Sequence, residues 1–151
     1  RKATPLRAAM IRTDHLYDHS CALFFRRRII EAGFQFDPEL KDVADAQWVS
    51  AVLEAGFKAM VLPEYLATFT YTGENRSLLP LAQKEARDKR RALNPWLRAA
   101  GPLLREFRHV EKLLRGGYHS RPITYEVFVG EDDTSRTRLV CERPSSRYPG
   151  L

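Results

Sequence analysis

Apolar positions first fall without a clean period, then as one continuous run, then at helical spacing. Residues 1–18 show no regular alternation and are expected to be connecting structure. From His19 the run Ser20-Cys21-Ala22-Leu23-Phe24-Phe25 becomes continuously apolar, the pattern of a strand buried on both faces. Arg26, Arg27 and Arg28 lead into a short helix over 28–32, with Gly33 as its C-terminal cap. Asp37-Pro38 then marks a turn, because the residue before a proline avoids the helical region. The next helix is better defined. Asp45 is a favoured N-cap type, Trp48, Val49, Val52 and Leu53 recur on one face, and Gly56 ends it. Phe57 to Pro63 and Tyr65 to Thr72 are rich in β-formers and predict extended segments, followed by a loop from Gly73 to Ser77.

Helical pattern dominates from Leu78 to Arg115, with breaks predicted at Asn94-Pro95 and Gly101-Pro102, where each proline can open a new helix. Trp96, Ala100, Leu103, Phe107, Val110 and Leu114 alternate spacings of four and three and form one apolar stripe. Gly116-Gly117 stops the last helix, and the segments 123–129 and 137–143 read as a hairpin around a polar tip. The predicted fold is α/β or α+β with a small sheet. Three stretches follow: residues 1–80, a helical extension over 81–117, and a C-terminal hairpin and tail over 118–151.

Composition narrows this only a little. A chain of 151 residues suffices for one core, and 44% hydrophobic with 29% charged residues is a globular balance. No apolar run approaches the roughly 18 residues that span a bilayer. Arg1-Lys2-Ala3-Thr4-Pro5 carries neither a leader nor an initiator Met, so a processed product or a piece of a longer protein is expected. Cys21 and Cys141 lie in separate apolar runs and are expected to be buried thiols rather than a disulfide framework or a zinc knuckle. A net charge of +6 admits an anionic partner without choosing one.

Read in order, His19 to Arg27, then Ala32-Gly33-Phe34-Gln35-Phe36-Asp37, then Val43-Ala44-Asp45-Ala46-Gln47-Trp48, resemble the second half of family 2 glycosyltransferases. Met60 to Ala67 and Gly73-Glu74-Asn75-Arg76-Ser77 match the apolar strand and the Gly, Asn and Ser loop that follow in that family. The likeness covers roughly residues 15–80. It implies a partial GT-A fold, the Rossmann-like acceptor half, carrying a helical extension and a hairpin. It also implies a nucleotide-sugar donor and a glycan or lipid-linked acceptor. A divalent cation, Mg or Mn, is implied as well, its ligands mostly outside this chain. The family's Asp-x-Asp nucleotide-binding half does not precede His19 in these residues. The implied place of work is the cytoplasm, peripheral on the inner face of the membrane.

Under this resemblance the reaction is displacement at an anomeric carbon, and the acceptor hydroxyl needs a base within hydrogen-bond reach. Asp45 takes that position, while local pattern alone favours it as a helix cap. Trp48 offers a ring for a sugar face or, by its spacing, a core residue. His19 approaches the donor phosphates or the metal, or is structural. Arg76 in the 73–77 loop offers charge to a diphosphate, or the loop is a linker ending in a Ser77 cap. Asp37 reads as a turn residue, Arg26 to Arg28 as a solvated charge run, and Glu131-Asp132-Asp133 as a soluble tip without calcium-loop spacing.

The competing reading is a basic helical module without catalysis. Residues 84–115 hold ten Lys or Arg against four acids, a face suited to nucleic acid or to an anionic membrane surface. No helix-turn-helix, zinc or sheet-aromatic signature accompanies it. A homo-oligomeric interaction module is the third possibility.

Overall fold

The computed structural model describes residues 4–62, 67, 79–119, 121–128 and 136–144. Five helices and one hairpin occupy them, a mixed helical and antiparallel β arrangement.

The first helix, α1 (Ala8–Thr13), has only six residues. Isolated helices shorter than about 12 residues are marginal in water, so tertiary packing must hold this one. It lies against α3 (Ala44–Glu54) and α5 (Pro95–Leu114), and more lightly against α4 (Pro80–Arg91). Ile11, fully buried, stands at the centre of a core that joins Leu6, Met10 and Tyr17 to Ile29, Trp48, Val49 and Val52. Leu104 from α5 and Phe34 and Phe57 from flanking loops pack around it.

Glycine closes the helices where the sequence predicts. Gly33 after α2 (Arg28–Glu31) and Gly56 after α3 take φ of +89° and +91°, the left-handed conformation that a side chain disfavours. Asn94 caps α5, its side chain accepting from the Trp96 amide at 2.9 Å.

The expected break at Gly101-Pro102 does not occur. α5 runs unbroken through both residues. A Cβ on Gly101 would stand 3.4 Å from Thr13 Cβ, so the glycine marks a close approach of α5 to α1 rather than a stop.

The sheet differs more. β1 (Ile123–Phe128) and β2 (Arg136–Cys141) pair antiparallel, from Ile123 opposite Cys141 to Phe128 opposite Arg136. That is the only sheet among the described residues. The expected strand after His19 is instead a 3-10 turn at Ser20–Ala22 followed by unpaired extended chain, with Phe24 65% exposed. Residues 57–62 are likewise unpaired, and most of 65–72 lies outside the described residues. An apolar run becomes a strand only beside a neighbour that takes its backbone hydrogen bonds, and among the described residues neither run has one. Cys21 consequently sits exposed and Cys141 half-buried on the hairpin, both as free thiols, not the buried pair expected.

Helices α4 and α5 are tied to the segment before residue 62 by polar contacts. Arg7 forms a two-pronged ion pair with Glu111, and Arg108 reaches Asp14 at 2.8 Å.

Candidate functional site

Asp45 stands in the first turn of α3 but is not its cap; Val43 holds the N-cap position and offers no side-chain hydrogen bond. The cap comes from a distance. Glu85 on α4 accepts from the backbone amides of Lys41, Asp42 and Val43 at 3.2, 3.0 and 3.1 Å. A carboxylate here satisfies the amides at and just before the N-cap and meets the positive end of the helix dipole, while Asp45 covers the Ala46 amide inside the first turn.

Instead the Asp45 carboxylate is shared between two donors. Ser20 donates its hydroxyl to Oδ2 at 2.7 Å, and the Ala46 amide donates to Oδ1 at 2.7 Å. The Ser20 contact is exposed, so the carboxylate is held in place yet open to solvent. Ser20 follows His19, which is the N-cap residue of the 3-10 turn and half-buried. Two segments 25 residues apart in sequence thus meet at Asp45.

Lys89 completes the surroundings. Its Nζ donates to the Ile11 carbonyl at 2.9 Å, satisfying one of the carbonyls left open at the end of α1. Burial pushes its pKa down, and the nearby Asp45 carboxylate partly offsets this. Beside it an open cleft of about 740 Å³ runs between α3 and α4, lined among others by Arg12, Glu54, Lys84 and Asp88. Arg12 pairs with Glu54, and Lys84 with Asp88 at 3.7 Å, so neither sign of charge prevails there.

The other expected site residues separate. Trp48 is 4% exposed, stacked on Phe36 at 5.0 Å and edge-on to Phe25 at 4.9 Å. Its ring faces are spent on the protein's own aromatics, so it serves the core rather than a sugar. Its Nε1 has no hydrogen-bond partner among the described residues. Arg76 and the 73–77 loop lie outside the described residues, as do Glu131 to Asp133. Asp37 is the turn residue expected, accepting from the Glu39 amide at 3.0 Å. Arg26, Arg27 and Arg28 are exposed, with Arg28 over the Phe57 ring.

Among the described residues no group of three or more His, Cys, Asp or Glu is placed to hold a metal ion. Asp45, with both oxygens engaged by protein donors, does not by itself fit a divalent cation. None of the described helices is long and apolar enough to cross a membrane.

Sequence reasoning missed Ser20, Glu85 and Lys89. Ser20 lies inside the His19 run and was visible as part of it. Glu85 and Lys89 carry no local signal, because their partners are more than 40 residues away. No family model matches the chain, and no curated protein or solved structure matches it.

Proposed function

We propose that this chain is the acceptor-side part of an inverting glycosyltransferase of GT-A type, with Asp45 as general base. The observation that carries the reading is the Ser20 to Asp45 hydrogen bond, which joins the His19 segment to the start of α3. Those are two of the segments whose order resembles the family. In this proposal Ser20 is a positioning residue: its hydroxyl fixes the carboxylate so that a remaining lone pair meets the acceptor. Asp45 takes the acceptor's hydroxyl proton as the oxygen bonds to the anomeric carbon and the nucleoside diphosphate departs from the opposite face. The donor, the cation that a complete enzyme of this type uses and the acceptor, glycan or lipid-linked, belong to the same proposal. So does work at the inner membrane surface.

The basic-module alternative is weakened by ion pairing. Lys84 is paired with Asp88, Arg105 and Arg108 with Asp14, and Arg115 with Glu111, while Lys89 serves the Ile11 carbonyl. Much of the positive charge counted in 84–115 is thus spent inside the chain.

The test is Asp45→Asn in the full-length gene product, assayed for transfer from a nucleotide sugar. We expect turnover to fall by about 10²–10⁴-fold, with thermal unfolding changed by less than about 1 kcal/mol. Turnover near that of the unaltered protein would remove Asp45 from the role.

A further inference from the structure

The apolar stripe of α5 does not face the core. The side of the helix against α1 is lined by Gly101, Leu104, Arg108 and Glu111, and it is there that the Asp14 and Arg7 ion pairs form. The stripe lies to the side, in solvent. Trp96 is 85% exposed, Leu103 74% and Leu114 82%, with Phe107, Val110 and Leu113 each more than half exposed. Arg7 lies over the Phe107 ring at 5.6 Å and so borders the patch where it meets α1.

We infer that this face is a self-association surface, through which two copies of the chain pair along α5. Three observations choose that occupant. Positions 96, 100, 103, 107, 110 and 114 keep a strict alternation of four and three over the whole helix, and none is charged. This is the seam spacing by which one helix packs along another of like pattern. Five of the six seam residues are more than half exposed, so the helix carries along its whole length the kind of contiguous apolar face that marks an interface. Finally, Arg98, Arg105 and Lys112 recur every seven residues on the far side of the helix, while Glu106 borders the stripe. Two basic chains can then meet with their cations pointing apart. A bilayer would be served by free cations along both borders of the stripe; here Arg7, at the border next to α1, is paired with Glu111, and Glu106 stands on the other border.

The pairing does not depend on the glycosyltransferase reading and is tested separately. Light scattering on the full 151-residue chain, over a wide range of concentration, should give a mass twice that of the monomer. The double substitution Leu103→Glu with Val110→Lys alters two exposed residues and should leave the circular dichroism unchanged. It should weaken pairing by at least about 100-fold. Trp96 emission should shift to longer wavelength on dilution, a shift absent in Trp96→Phe. Should the double variant fold poorly, Trp96→Gln at the exposed end of α5 provides the same comparison. A chain that stays monomeric at every concentration would overturn the inference, as would a double variant that dimerises equally well. Binding of a monomeric chain to phosphatidylserine vesicles, lost in the double variant, would assign the face to a lipid surface instead.

Discussion

Asp14, at the end of α1, meets two guanidinium groups, Arg108 at 2.8 Å and Arg105 at 4.0 Å, and the His15 ring at 3.1 Å. Burial alone pushes its carboxyl up, but the His15 hydrogen bond and the charges of His15, Arg108 and Arg105 outweigh it. The pKa is held well below the usual carboxylate range. Glu111 is shifted the same way, chiefly by its hydrogen bond to Arg7. For a group whose folded pKa lies below the unfolded one, the stabilisation is full above the unfolded pKa of about 4 and drains away as pH falls. Urea unfolding followed from about pH 6 to about pH 2 should therefore show a loss of stability on acidification that Asp14→Asn flattens. Arg108 is 8% exposed and also covers the Tyr17 ring, at 4.9 Å from its centroid. None of this was legible beforehand: the 94 residues between Asp14 and Arg108 hide the pair from any local pattern. Trp48 shows the complementary limit. Its helical spacing favoured the core over a sugar face without naming its neighbours, and Phe25 and Phe36 supply them.

At the scale of elements, what was legible was what each segment fixes by itself. Gly33, Gly56 and Asn94-Pro95 end or begin helices through their own backbone chemistry, and each does so here. The hairpin follows from alternation within two adjacent segments. Elements that need a remote partner came out differently. The run after His19 has β-forming residues but no neighbouring strand among the described residues, and the stripe on α5 shows its period but not its direction. The start of α3 is of this kind as well, because its cap arrives from α4. Glu85→Ala should cost about 1–2 kcal/mol, read as a lowered thermal midpoint, and Glu85→Gln should recover part of it as a neutral acceptor. Asp45→Ala should cost less, since Asp45 covers one amide, that of Ala46, where Glu85 covers three.

Over the whole molecule, the segment before residue 62 and helices α4 and α5 complete one another. Lys89 closes the end of α1, Glu85 opens α3, and Arg108 and Glu111 neutralise Asp14 and Arg7. Residues 1–80 expressed alone lack all four partners. That fragment should unfold without a cooperative transition, whereas the 151-residue chain should show one, a contrast that calorimetry reads directly. The proposed glycosyltransferase reading rests on this N-terminal stretch, yet the stretch is held by helices beyond it.

The distant cap on α3 also sets an order in time. A ribosome adds about 5–20 residues per second, so Glu85 follows Val43 by seconds, while a helix forms or melts within about a microsecond. During that interval the nascent α3 opens and closes many times with its first amides facing water. Its Glu85 cap arrives only when α4 emerges. Assembly of the core around Ile11 is thus paced by translation, and a pause between residues 43 and 85 would prolong the exposure of Trp48, Val49 and Val52.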